Sequence, residues 1–272
     1  MALEVGRVTA VYWPGHEGVA ESLAEFAAAS ESWPGLPAVG RVPLRIVVAP
    51  DRSTFDSLTH GVIPEWGTAV AYPSSNTVVI RVEGDPFRTL RHELAHLALH
   101  AAVGRVPRWF SEGYAVRSAG EWNRLNALRA NLALVLRPPP SLATLNRDLR
   151  GGNVAARMSY ALAATAVLML ERMGGERGLE PLMERLAARQ DLDRAMRDTY
   201  LVSLDQFEGL WRRDMKKRYG WLSYVTSFAV FWLVAGAVLS VLWIQRRQRD
   251  LARKKELDRD WEVPHDDSVD DG

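Results

Sequence analysis

The chain has 272 residues, 47% of them hydrophobic and 25% charged, with 34 Lys and Arg against 33 Asp and Glu. That length holds one sizeable core plus an appendage. A net charge of +1, with no basic stripe carrying interleaved aromatics, gives no basis for nucleic-acid binding, and the lack of cysteine excludes disulfides and thiolate metal sites.

Strands are expected first. Arg7–Trp13 alternates like a strand and stops at Pro14-Gly15. A helix follows from about Glu17 to Ser30, apolar at Val19, Leu23, Phe26 and Ala27. Leu44–Val48 reads as a second strand ended by Pro50, and Asp51 as the cap of a short helix containing Phe55 and Leu58. Thr68–Tyr72 and Thr77–Val82, joined by Pro73-Ser74-Ser75-Asn76, predict a hairpin. Asp85 is then the expected cap of the next helix.

That helix carries His92-Glu93-Leu94-Ala95-His96, an H-E-x-x-H motif. Residues four apart share one face of an α-helix, so the two imidazoles can converge on a single ion. The intervening Glu93 points into the same cleft, where a carboxylate can take a proton from water. Taken alone, the pair also fits two ordinary half-buried histidines on an amphipathic helix.

Two histidines leave a tetrahedral zinc one protein ligand short. After the turn signal Gly104-Arg105-Val106-Pro107 comes Trp109-Phe110-Ser111-Glu112-Gly113-Tyr114-Ala115, with Glu112 sixteen residues beyond His96. H-E-L-A-H followed by W-F-x-E-G-x-A resembles the gluzincins, and most of all their peptidase MA-like branch, over about Arg7 to Gly220. The resemblance implies one zinc ion held by His92, His96 and Glu112, with Glu93 as general base. Glu112 also suits the first turn of a helix, where a carboxylate favours the dipole.

Three further expectations attach to that resemblance. Thermolysin-like relatives carry, four residues after the glutamate, an Asp that supports a histidine ligand; Val116 stands there, so the support must come from elsewhere. Related enzymes commonly add a Tyr or His that stabilises the oxyanion, and Tyr160 in Met158-Ser159-Tyr160-Ala161 is the candidate, a core tyrosine being the other reading. Gluzincins also pair extended substrate with an edge strand, for which Asn76–Val82, leading into the active-site helix, is the natural choice. His100 extends the i+4 series but lies about 12 Å and 80° from His92 along a straight helix, too far to share one ion, and reads as structural.

The remainder is helical. Helices are expected over Trp122–Leu136, ending at Pro138-Pro139-Pro140, and over Ala155–Met173, Leu179–Arg189, Leu192–Thr199 and Leu204–Arg218, with a loop or short helix at Ser141–Leu145 broken by Gly151-Gly152. From Tyr219 to Gln245 no residue is charged, and Trp221–Ile244 gives 24 residues, more than the roughly 20 that cross hydrocarbon. Trp221, Tyr224 and Trp243 resemble interfacial anchors. Arg246, Arg247, Arg249, Arg253, Lys254 and Lys255 favour a cytoplasmic tail, although Arg212, Arg213, Lys216, Lys217 and Arg218 precede the span. The opening Met1–Arg7 shows no apolar segment of a signal peptide. Asp258–Gly272 is acidic and reads as disordered.

The expected fold is therefore α+β. It has a small N-terminal β-sheet with helices (residues 1–84), a helical half with the zinc site (85–219), a single transmembrane helix (220–245) and a basic-then-acidic tail (246–272). The two halves would form a zincin-like cleft. The expected function is a membrane-anchored zinc metallopeptidase acting on peptide or protein substrates near the bilayer, with an extracytoplasmic catalytic domain. The alternative is an inactive membrane-anchored module that keeps the zincin-like fold for binding.

Overall fold

The computed structural model describes residues 1–37, 42–123, 127–128, 138–149, 153–219 and 221–260, with 153–157, 219, 221–230, 252 and 254–260 described by backbone alone. Two compact units emerge, Met1–Trp221 and Leu222–Gly272.

The first unit opens on a five-stranded sheet. Its strands are β1 (Ala2–Val5), β2 (Val8–Val11), β3 (Leu44–Ala49), β4 (Ala69–Tyr72) and β5 (Thr77–Arg81), in the order β1-β2-β3-β5-β4. β1, absent from the sequence reading, pairs antiparallel with β2 across a turn in which Gly6 adopts a left-handed φ of +58°. β2, β3 and β5 run parallel, and β4 returns antiparallel on β5. Such parallel pairing needs crossovers. The first is α1 (Glu17–Ala29); the second runs through α2 (Arg52–Leu58), capped by the Asp51 carboxylate on the Thr54 amide, and the β4 hairpin arm.

The core follows the two-residue strand period. Val8, Ala10, Ile46, Val48, Val78 and Ile80 face one side and meet Ala20, Leu23, Ala24 and Ala27 of α1 together with Leu90, Leu94 and Ala98 of α3 (Pro86–Val103). Ala49, Phe55 and Val79 form a smaller cluster with Val47, Ile63 and Val70. Helices then dominate: α4 (Arg108–Ser118), α5 (Leu142–Asp148), α6 (Asn153–Met173), α7 (Glu180–Ala187), α8 (Leu192–Tyr200) and α9 (Leu204–Tyr219). α4 is buried against α6, and Trp109 stacks on Phe207 of α9 at 6.2 Å. The fold is thus mixed α+β, with a small N-terminal sheet and a helical remainder. The helix expected over Trp122–Leu136 and the break at Gly151-Gly152 fall largely outside the described residues.

One expectation is corrected. β5 is an interior strand, hydrogen-bonded to β3 on one side and β4 on the other, so its backbone cannot pair with a substrate. The open edge belongs to β4. The Arg81 amide bonds the Thr68 carbonyl at 2.8 Å, and antiparallel ladders alternate bonded with non-bonded pairs. Thr68, Val70 and Tyr72 therefore spend their backbone groups on β5, whereas Ala69 and Ala71 present theirs outward.

The second unit carries α10 (Trp221–Asp260), a single helix of 40 residues that begins on the last residue of the first unit. Phe231, Trp232, Leu233, Leu239 and Trp243 are exposed on it, and the Arg247 guanidinium lies 5.3 Å from the Trp243 ring centroid. Among the described residues no helix is long and apolar enough to cross a membrane, so the expected span is not found there. Residues 261–272 of the expected tail lie outside the described residues.

Candidate metal centre

α3 starts where the sheet ends. The Asp85 carboxylate accepts the Arg88 amide at 3.0 Å, Pro86 fills the first helical position, and Gly104 closes the helix at φ +75° with its amide on the His100 carbonyl. Four residues later α4 begins, its Trp109 amide satisfied by the Asn146 side chain at 2.9 Å. The tight connection folds α4 back along α3. Glu112, one turn into α4, then faces the two histidines one turn apart on α3.

The convergence is specific in its atoms. Oε2 of Glu112 lies 3.6 Å from Nε2 of His92 and 3.4 Å from Nε2 of His96. All three candidate ligand atoms fall within 4.8 Å of one another. These separations exceed a good hydrogen bond. They match instead the edge of a tetrahedron with bonds of about 2.0–2.1 Å, which is about 3.4 Å. Two imidazoles and one carboxylate of this spacing could hold a zinc-sized ion, with a fourth side left to the cleft.

The opposite atoms of these groups are held by the protein. Nδ1 of His92 lies 3.1 Å from Oε1 of Glu121, and Nδ1 of His96 lies 2.8 Å from Oγ of Ser111. Oε1 of Glu112 lies 3.3 Å from Nε of Arg108. Each ring nitrogen aimed away from the cleft thus has a partner, which turns Nε2 inward.

Electrostatics follow from burial and these contacts. Burial alone would raise the Glu112 carboxyl, but the neighbouring imidazoles of His96 and His92 hold it well below the usual carboxylate range. Burial would lower His92; Glu121, Glu112 and Glu93 outweigh it and hold the imidazole well above its ordinary value. Glu93 moves up because of burial and the nearby Glu112 charge, against the pull of His96, His92 and the Ala71 backbone amide of β4. A carboxylate raised in this way is a better proton acceptor than a free one.

The cleft measures about 910 Å³, and His92, Glu93, His96, Glu112 and Tyr160 all line it. The Tyr160 ring packs edge-on between His92, at 6.5 Å, and Trp66, at 6.1 Å. Burial pushes its hydroxyl well up, aided by Glu112 and opposed by Arg108. His100 lines the cleft wall but is not part of the three-residue cluster.

Residues 46–217 match the family described as the Peptidase MA superfamily. The chain belongs to the peptidase MA superfamily. A search of curated proteins finds no match. In this peptidase MA domain the matched region begins at β3 and ends within α9, so it contains the cleft and every residue named around it. What sequence reasoning missed is the support. Glu121 enters from the turn after α4, which Gly120 makes at φ +66°; a glycine-turned acidic residue just past the helix was the only local cue. Ser111, directly before Glu112, was quoted in the motif without a role.

Proposed function

We propose that the chain is a zinc-dependent metallopeptidase that hydrolyses peptide bonds in this cleft. The observation that carries the reading is the meeting of His92 Nε2, His96 Nε2 and Glu112 Oε2 at tetrahedral-edge separations beside Glu93. The superfamily match supports a peptidase in general terms. Zinc bound by these three residues supplies Lewis acidity, activating water and polarising the carbonyl.

The chain's own residues supply the rest. Extended substrate lies along β4, pairing with the outward backbone groups of Ala69 and the outward carbonyl of Ala71, whose amide faces Glu93. Glu93 accepts the proton of the attacking water and delivers it to the leaving amine. The protonated Tyr160 hydroxyl donates to the developing oxyanion. Glu121 and Ser111 keep the imidazoles oriented.

Metal content of the full chain, beside His96→Ala and Glu93→Gln, tests this. About one zinc per chain is expected, lost in His96→Ala and retained in Glu93→Gln, with peptide hydrolysis lost in both. Absence of zinc uptake by the wild type would remove the reading. Zinc uptake with equal cleavage by Glu93→Gln would leave the metal site and overturn the base assignment. Zinc uptake with no hydrolysis of a broad peptide library would favour the binding-module alternative.

We also propose that α10 tethers this unit to the cell membrane, with the basic tail cytoplasmic and the catalytic unit extracytoplasmic. The charge-free run from Trp221 to Ile244, followed by Arg246, Arg247 and Arg249, supports this. Membrane fractionation with alkaline extraction tests it: recovery of the chain in the soluble fraction would refute the tether.

A further inference from the structure

The cleft is not electrically even along its length. Its three lining carboxylates, Glu93, Glu112 and Glu121, gather around the histidines, with Glu121 at the level of His92. Beyond His96 the lining gains positive charge: Arg105 stands on the connection after α3, and Arg108 opens α4. Both arginines are exposed. Arg108 spends Nε on Glu112, while Arg105 makes no hydrogen bond or ion pair among the described residues.

A third arginine lies beside the same loop without itself lining the cleft. A methyl group at Gly104, which also lines the cleft, would sit 3.6 Å from Nη1 of Arg189. Arg189 is exposed, adopts a left-handed φ of +63° just past α7, and likewise makes no ion pair among the described residues. The cleft is also lined by the apolar Val62, Ile63, Pro64 and Trp66.

Resting on the peptidase reading of the cleft, we propose that Arg105, Arg108 and Arg189 form a carboxylate-recognising subsite that selects peptides with an acidic group beside the scissile bond. Guanidinium groups suit this role because their planar fork matches both carboxylate oxygens. A lone exposed pair changes affinity by no more than about fivefold. Arg105 and Arg189, neither of them ion-paired among the described residues, with Arg108 sharing its guanidinium with Glu112, raise the expected preference to about tenfold, screened by salt. The carboxylate belongs to an Asp or Glu side chain or to a peptide C-terminus.

The test uses the full chain carrying Glu93→Gln, loaded with zinc, and fluorescein-labelled decapeptides that differ only by Glu or Gln at one position, each made as the free acid and as the amide. Fluorescence anisotropy should show about tenfold tighter binding for Glu at one fixed position, reduced to near parity by Arg105→Glu and weakened by Arg189→Ala, with zinc content unchanged in both. A preference that follows the free C-terminus instead identifies the terminal carboxylate as the group bound. Equal binding of Glu and Gln peptides that is also indifferent to amidation, no peptide binding at all, or a preference untouched by Arg105→Glu would overturn the subsite. Selective binding by this variant with no hydrolysis by the wild type would leave the subsite standing and remove the peptidase reading.

Discussion

Nδ1 of His92 lies 3.1 Å from Oε1 of Glu121, a residue 29 positions later in the chain. An imidazole whose Nδ1–H is held by a carboxylate presents the lone pair of Nε2, and the carboxylate makes that nitrogen a stronger donor. Glu121→Gln keeps the shape and a hydrogen-bonding atom but removes the charge. The expected outcome is zinc affinity weakened by about 10–100-fold, read by competition with a coloured chelator, with circular dichroism unchanged. Affinity within a factor of about two of wild type would show that the contact is incidental.

The pH dependence separates metal-free from zinc-loaded protein. His92 is held well above its ordinary value, so its contribution to folding is complete below its unfolded pKa of about 6.5 and is lost as pH rises through the folded value. Glu112 is held well below, so its contribution is present above about 4.3 and is lost as pH falls through its folded value. Without metal the site therefore stabilises the fold most between about pH 4.3 and 6.5, and Tm should decline from pH 6 to pH 8.5. Zinc requires the unprotonated imidazole, so its binding strengthens over the same interval. The gap in Tm between loaded and stripped protein should widen with pH, as scanning calorimetry would show. A constant gap would mean that His92 does not change protonation on binding.

Gly113 sets how closely α4 approaches α6. A methyl group there would press on the Ala163 carbonyl oxygen and lie 2.7 Å from Val167 Cγ2. Gly113→Ala should cost about 1–3 kcal/mol and, because Glu112 is its neighbour, also weaken zinc binding. Gly209 on α9 has open space around it, so Gly209→Ala should stabilise by about 0.5–1 kcal/mol. Urea denaturation of both variants checks the pair. Equal effects of the two substitutions would contradict the packing account.

The grouping of His92, His96 and Glu112 was legible because it is local. His92 and His96 share a helix face, and Glu112 needs only the short Gly104–Pro107 connection to return to them. Glu121 was not legible, because its place depends on where α4 ends and on the hand of the turn at Gly120. The hairpin Thr68–Tyr72 and Thr77–Val82 could be read from its turn residues, but which arm faces β3 is decided by parallel pairing between distant strands. β1 escaped for another reason: four residues, Ala2–Val5, with Ala2 and Glu4 exposed and Leu3 and Val5 half-buried, give too short an alternation to stand out. The uncharged run from Tyr219 was plain in the sequence, but among the described residues no helix is long and apolar enough to cross a membrane.

Tyr160 offers the sharpest test of how the cleft treats a transition state. Burial keeps its hydroxyl protonated throughout the working range, so it is always able to donate. Tyr160→Phe removes that donor and leaves the ring between Trp66 and His92. If the hydroxyl meets the oxyanion, kcat should fall by about 10²–10³-fold, with KM and zinc content little changed, since the bond forms only in the transition state. A change of less than about twofold in kcat would assign Tyr160 to packing alone. In that case Arg108, which lies near enough to pull the Tyr160 hydroxyl back down and pairs with Oε1 of Glu112, becomes the next group to remove.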